Sequence, residues 1–121
     1  MFSRMREKAI KLLFAVIILF TASNVYANYI GQKSVTAMYG SGIIFIGVEG
    51  APSDTCHHYG FNFRFDARTP EGKNIFSMLL AAKMADKKIN IWYSPSSQPG
   101  SDHSNGCSAD AVAVLNSIGI S

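Results

Sequence analysis

Cysteine occurs only twice and histidine only three times in the 121 residues, which leaves little from which to build a metal centre. Catalytic signatures are missing too. No Gly-x-Ser-x-Gly elbow marks a nucleophilic serine, and neither a metalloprotease helix nor a phosphate-cradling glycine loop is present. Asp102-His103 is a loop dipeptide, and Asp66 and Glu71 are assigned more simply to a strand end and a helix start than to an acid–base pair. These absences read as a protein that is not an enzyme and takes no cofactor. Net charge is a further absence once residues 1–27 are set apart. Residues 28–121 balance Lys33, Arg64, Arg68, Lys73, Lys83, Lys87 and Lys88 against Glu49, Asp54, Asp66, Glu71, Asp86, Asp102 and Asp110. The basic pI of about 9.0 therefore belongs to the N-terminus and is no argument for nucleic-acid binding.

What is there begins with a targeting pattern. Arg4, Arg6, Lys8 and Lys11 precede an unbroken apolar run from Leu12 to Ala22, and Ser23-Asn24-Val25-Tyr26-Ala27 closes it with small residues at the positions that signal peptidase inspects. A basic start, a short apolar core and a small-x-small exit read as a secretory signal peptide over residues 1–27, cleaved after Ala27. The competing reading is an uncleaved anchor, which needs roughly 20 apolar residues to cross the hydrocarbon layer. No cysteine stands near the exit to accept a lipid, and no later run is apolar and long enough to span a membrane. The expectation is a secreted or periplasmic protein whose residues 28–121 form one domain.

That domain reads as strands, one helix, then strands. Val35–Tyr39 alternates loosely, Gly42–Val48 is apolar on both faces, and Phe61, Phe63 and Phe65 alternate with Asn62, Arg64 and Asp66. A helix is predicted from Thr69, with Thr69 as cap, Pro70 at its first position and Glu71 at the positive end of its dipole. Ile75, Met78, Leu79 and Ala82 share a face, Phe76 and Leu80 widen it, and Lys87 and Lys88 are expected at the negative end. Ile89, Ile91 and Tyr93 then alternate with Asn90 and Trp92. A polar loop from Ser94 to Gly106 follows, long for a compact domain, and the apolar tail from Ala109 is read as a last strand.

Cys56-His57-His58, His103 and Cys107 pose the one ambiguous constellation. A zinc site of sulfur and nitrogen ligands is one reading, but three consecutive residues do not easily converge on one ion. Two cysteines in an exported chain favour a Cys56–Cys107 disulfide, and closing a loop of about 50 residues is worth roughly 4 kcal/mol in the chain-entropy model. His57 and His58 are then surface residues beside the bridge, with pH sensing as their alternative role. Tyr29, Tyr39, Tyr59, Trp92 and Tyr93 are candidates for stacking on sugars or filling an interface, against the alternative that Trp92 fills the core.

Two stretches carry a resemblance. "MYGSGIIFIGVEG" and "NIFSMLLAAKMADKKINIWYSP" resemble the first hairpin and the helix–turn–strand segment of the binding subunits of pentameric bacterial AB toxins, the subtilase cytotoxin B subunit in particular. The resemblance implies a β-rich α+β fold: a small oligonucleotide/oligosaccharide-binding (OB) barrel with one helix between its third and fourth strands. It also implies binding of a host glycan by Ser41, with Tyr39 and Gly42 beside it, and Trp92 joins these as an exposed aromatic candidate. A homopentamer with helices lining its centre, serving an enzymatic A chain, is the implied assembly. Two rival functions remain: a monomeric inhibitor or immunity-type protein that plugs a partner's cleft with the loop from Ser94 to Gly106, and a small Cys/His metal-binding protein.

Overall fold

The computed structural model describes residues 28–121, so the expected signal peptide lies outside the described residues. In chain order the elements are β1 (Asn28–Lys33), β2 (Val35–Gly40), β3 (Ile43–Val48), β4 (Phe63–Asp66), α1 (Pro70–Met84), β5 (Ile89–Ser94) and β6 (Ala113–Ile120). A short 3-10 turn, Ala109–Ala111, leads into β6. The strands form one six-stranded sheet in the order β1-β5-β6-β4-β3-β2. All neighbours are antiparallel except β4 and β6, which run parallel. The fold is thus β-rich with a single α-helix among the described residues. No helix there is long and apolar enough to cross a membrane.

The expected closed barrel is not what the ladder forms. β1 and β2 stand at opposite ends of the hydrogen-bonded order, and only Ser34 separates them in the chain. Segments joined through one residue without reversal run end to end, so they cannot pair side by side. β1 itself was not expected. Asn28–Lys33 holds few apolar residues, Gln32 lies at φ 47, and the register with β5 shifts between Ile30 and Lys33. That irregularity breaks the period-two pattern by which a strand is recognised.

The core lies between the sheet and α1. Ile46, Phe63, Leu79, Ile89, Ile91 and Ala113 are fully buried, with Tyr93, Leu115 and Phe65 packed around them. The predicted alternation on β5 holds: Ile89, Ile91 and Tyr93 point inward, and Trp92 is exposed. On β4 it holds for Phe63 and Phe65, but Asn62 is buried as well and its side-chain oxygen accepts from the Val48 amide.

The helix starts as its sequence dictates. The Thr69 hydroxyl accepts from the Gly72 amide at 3.0 Å, and Pro70 takes the first turn, where no amide is needed. Gly72, Leu79 and Ala82 are buried and Ile75 and Phe76 pack against the core, but Met78, expected on the same face, is exposed. The end is earlier than expected. Asp86 adopts φ 53, its amide donates to the Lys83 carbonyl and the Lys87 amide to that of Ala82, a left-handed cap that stops the helix at Met84. Lys87 and Lys88 therefore lie beyond the last turn. Lys83 holds the place foreseen for them, and its ammonium donates to the Val35 carbonyl at 2.9 Å.

Candidate functional site

Cys56 and Cys107 form a disulfide, with Cα atoms 5.8 Å apart. Both sulfurs are buried, and with Ala111 and Val112 they make a second small core beside the main one. The bridge ties the segment before β4 to the loop before β6. Backbone bonds reinforce it: the His57 amide donates to the Ser101 carbonyl, Gly100 to Thr55, and Ser96 to Asp54. The loop from Ser94 to Gly106 is therefore fastened along its length. Within it, the Ser104 hydroxyl and amide donate to Asp102 and hold its carboxyl below the usual carboxylate range. The disulfide also takes both thiolates out of the zinc set considered above.

Immediately after the bridge the chain makes a tight reversal. The His58 and Phe61 amides each donate to the other's carbonyl, at 2.9 and 3.0 Å. The two residues between them, Tyr59 and Gly60, lie at φ 50 and 91. Two central residues at positive φ define the type I′ hairpin, which glycine and asparagine enter easily and tyrosine does not. Tyr59 is nevertheless there and its ring is 67% exposed. It stacks on His103 at 3.9 Å between ring centres and meets the edge of His58.

These rings enclose a cleft. Tyr39, Phe45, His58, Tyr59, Phe61 and Ala109 line a volume of about 440 Å³, within the range of small-molecule sites. Phe45 is the floor that joins cleft to foundation, since it packs against the disulfide core and faces His58 and Phe61. Tyr39 stacks over Phe61 on the other wall and is 69% exposed. His58 is oriented from below: its Nδ1 lies 2.7 Å from the Cys107 carbonyl oxygen, so Nδ1 carries the proton and donates. Two exposed tyrosines, on two hairpins, thus flank an aromatic floor that a buried disulfide supports.

The residues singled out from sequence are distributed unevenly around this cleft. Tyr39 is a wall of it. Ser41, exposed, and Gly42, half-buried, form the turn between β2 and β3, close to Tyr39 in the chain, and the Gly42 carbonyl accepts from the Ala67 amide. Trp92 is not brought there. It packs on Tyr29 in a tilted pair, 5.0 Å between ring centres, where β5 pairs with β1, so it neither fills the core nor lines the cleft. Phe45 and Phe61 were read only as strand residues, and His58 as a bystander of the bridge. The signal that would have found the site is His58-Tyr59-Gly60-Phe61, a residue-glycine pair between two rings, which is the spacing of a two-residue hairpin. Comparisons with known protein families, with curated proteins and with solved structures return no match to this chain.

Proposed function

We propose that the chain is a secreted or periplasmic, non-enzymatic glycan-binding module of the OB type, built like a toxin B subunit. The observation that carries the reading is the cleft between Tyr39 and Tyr59. Tyrosine rings offer flat apolar faces for the C–H face of a sugar ring and keep a hydroxyl for its polar edge. One of the two is held exposed in a conformation that costs about 1 kcal/mol for a non-glycine residue. Strain kept at an exposed ring points from backbone to binding. A disulfide foundation fits an oxidising compartment.

The topology supports the OB reading when β1 and β2 are counted as one strand bent at Ser34. Its first half pairs with β5 and its second with β3. In that count there are five strands, the helix falls between the third and fourth, and the third and fifth run parallel. Assembly into a ring that serves an enzymatic chain belongs to the same proposal, because Leu80 and Met84 leave 40% and 87% of their surface exposed on one helix.

Labelled protein purified from the periplasm is expected to stain host-cell surfaces. Periodate oxidation strong enough to cleave the ring diols of the cell-surface pyranoses, or Tyr39→Ala in the protein, is expected to remove the staining. Staining that survives both treatments overturns the glycan reading. Native mass spectrometry of the same sample is expected to give a ring-sized oligomer, and a monomer overturns the assembly.

A further inference from the structure

We propose that the cleft selects uncharged sugars, a refinement that rests on the glycan-binding reading above. The chemistry around the cleft sets this preference. None of its six lining residues is a lysine, arginine, aspartate or glutamate. A carboxylate moved from water into such a place loses hydration and finds no lysine or arginine among the lining residues in return.

The two arginines of the neighbouring elements are already engaged. Arg64 follows Phe45 across the ladder, and its Nε and Nη2 donate to the carbonyls of Val112 and Asp110 at 3.1 and 3.0 Å. Arg68, beside Gly42, grips both oxygens of Asp66, each at 2.9 Å, so its charge is matched where it stands. Neither lines the cleft.

His58 supplies the positive half of the argument. With Nδ1 donating to the Cys107 carbonyl, the neutral ring keeps Nε2 as an acceptor. An acceptor takes a sugar hydroxyl and repels a carboxylate. The ligand class that satisfies stacking walls and an acceptor, and asks for no cation, is a neutral pyranose presenting one apolar face and a hydroxyl edge.

The test is an array of neutral, sialylated and sulfated oligosaccharides probed at pH 7.5 with the purified protein, followed by titration of the best neutral member and its sialylated form. Binding to neutral members is expected, and Tyr59→Asn, which suits the type I′ turn and removes the ring, is expected to weaken it about tenfold. Adding a terminal sialic acid is expected to give no gain. Binding confined to sialylated or sulfated members overturns the selectivity and leaves the glycan reading standing. An array with no bound member overturns the glycan reading itself, and this inference with it.

Discussion

Tyr59 and Tyr93 are tyrosines of opposite kinds, and each makes a prediction of its own. Tyr59 is exposed and conformationally strained, whereas Tyr93 is buried and donates its hydroxyl to Asp54, which also accepts from the Asn28 amide group. For Tyr59→Asn the relief of a left-handed tyrosine, about 1 kcal/mol, offsets the stacking lost on His103. Thermal melting is therefore expected to show no loss of stability while binding weakens about tenfold. A melting temperature that falls with the ring would make Tyr59 a structural residue. For Tyr93, burial first and then the Asp54 carboxylate push the phenol up to about 12. The neutral phenol is favoured in the folded state, so its contribution is complete below the ordinary tyrosine value near 10 and is lost as pH rises through about 12. Tyr93→Phe is expected to be less stable than wild type at neutral pH by about 1–3 kcal/mol, the worth of a hydrogen bond to a charged group. The gap should close between about pH 10 and about pH 12, as followed by urea midpoints. A gap that stays constant across that range would show that the phenol does not ionise with unfolding.

At the scale of elements, the start of α1 combines two demands that conflict in any substitution of Gly72. Helix propensity favours alanine over glycine by about 1 kcal/mol. Yet an added Cβ at Gly72 would run into the Asp66 carbonyl oxygen and against the Ala67 Cα, backbone atoms that cannot swing aside. Gly72→Ala is expected to destabilise by about 1–3 kcal/mol, the cost of overpacking a close contact. Chemical denaturation checks it, and a gain in stability would mean that the helix start is free to shift. The glycine's role could not be read from its neighbours, because the approach is made by the end of β4 across the turn. What could be read was local chemistry: the Thr69 cap, Pro70 in the first turn, the alternation on β5, and two cysteines with only each other to pair with. The end of α1 was misplaced because Asp86 in the left-handed cap carries no glycine signal. β1 escaped because its bulge spoils alternation. Two of the six residues that line the candidate site were legible in the same sense. Tyr39 and Tyr59 stood out as aromatics, and the hairpin that pairs His58 with Phe61 left a local signal, but Phe45 joins them only through pairing of β3 with β4, and such long-range pairing leaves no local trace.

The molecule as a whole has two cores of unequal dependence on its one covalent link. The larger, between α1 and the sheet, rests on ladders and apolar burial and contains no cysteine. The smaller, under the cleft, is the disulfide with Ala111, Val112 and the Phe45 ring. Opening the bridge frees a loop whose ends are 51 residues apart, which the chain-entropy model values at roughly 4 kcal/mol. Folded domains have stabilities of about 5–15 kcal/mol, so a chain of this size is expected to stay folded without the bridge but with a reduced margin. The damage should not be uniform. Cys107 presents the carbonyl that orients His58, and Ser101 on the bridged loop accepts from the His57 amide, so the cleft loses its supports. The β5–β6 ladder pairs residues on the far side of the sheet order and does not involve the bridge. For Cys56→Ala/Cys107→Ala, amide exchange is expected to quicken strongly at His57, His58, Phe61 and Cys107 and little at Ile91 and Ile118. Ligand binding should fail under conditions where the far-ultraviolet signal of the sheet and helix is unchanged. Equal acceleration at both sets of amides would show one cooperative unit, and retained binding would show that the aromatic floor holds the cleft without the disulfide beneath it.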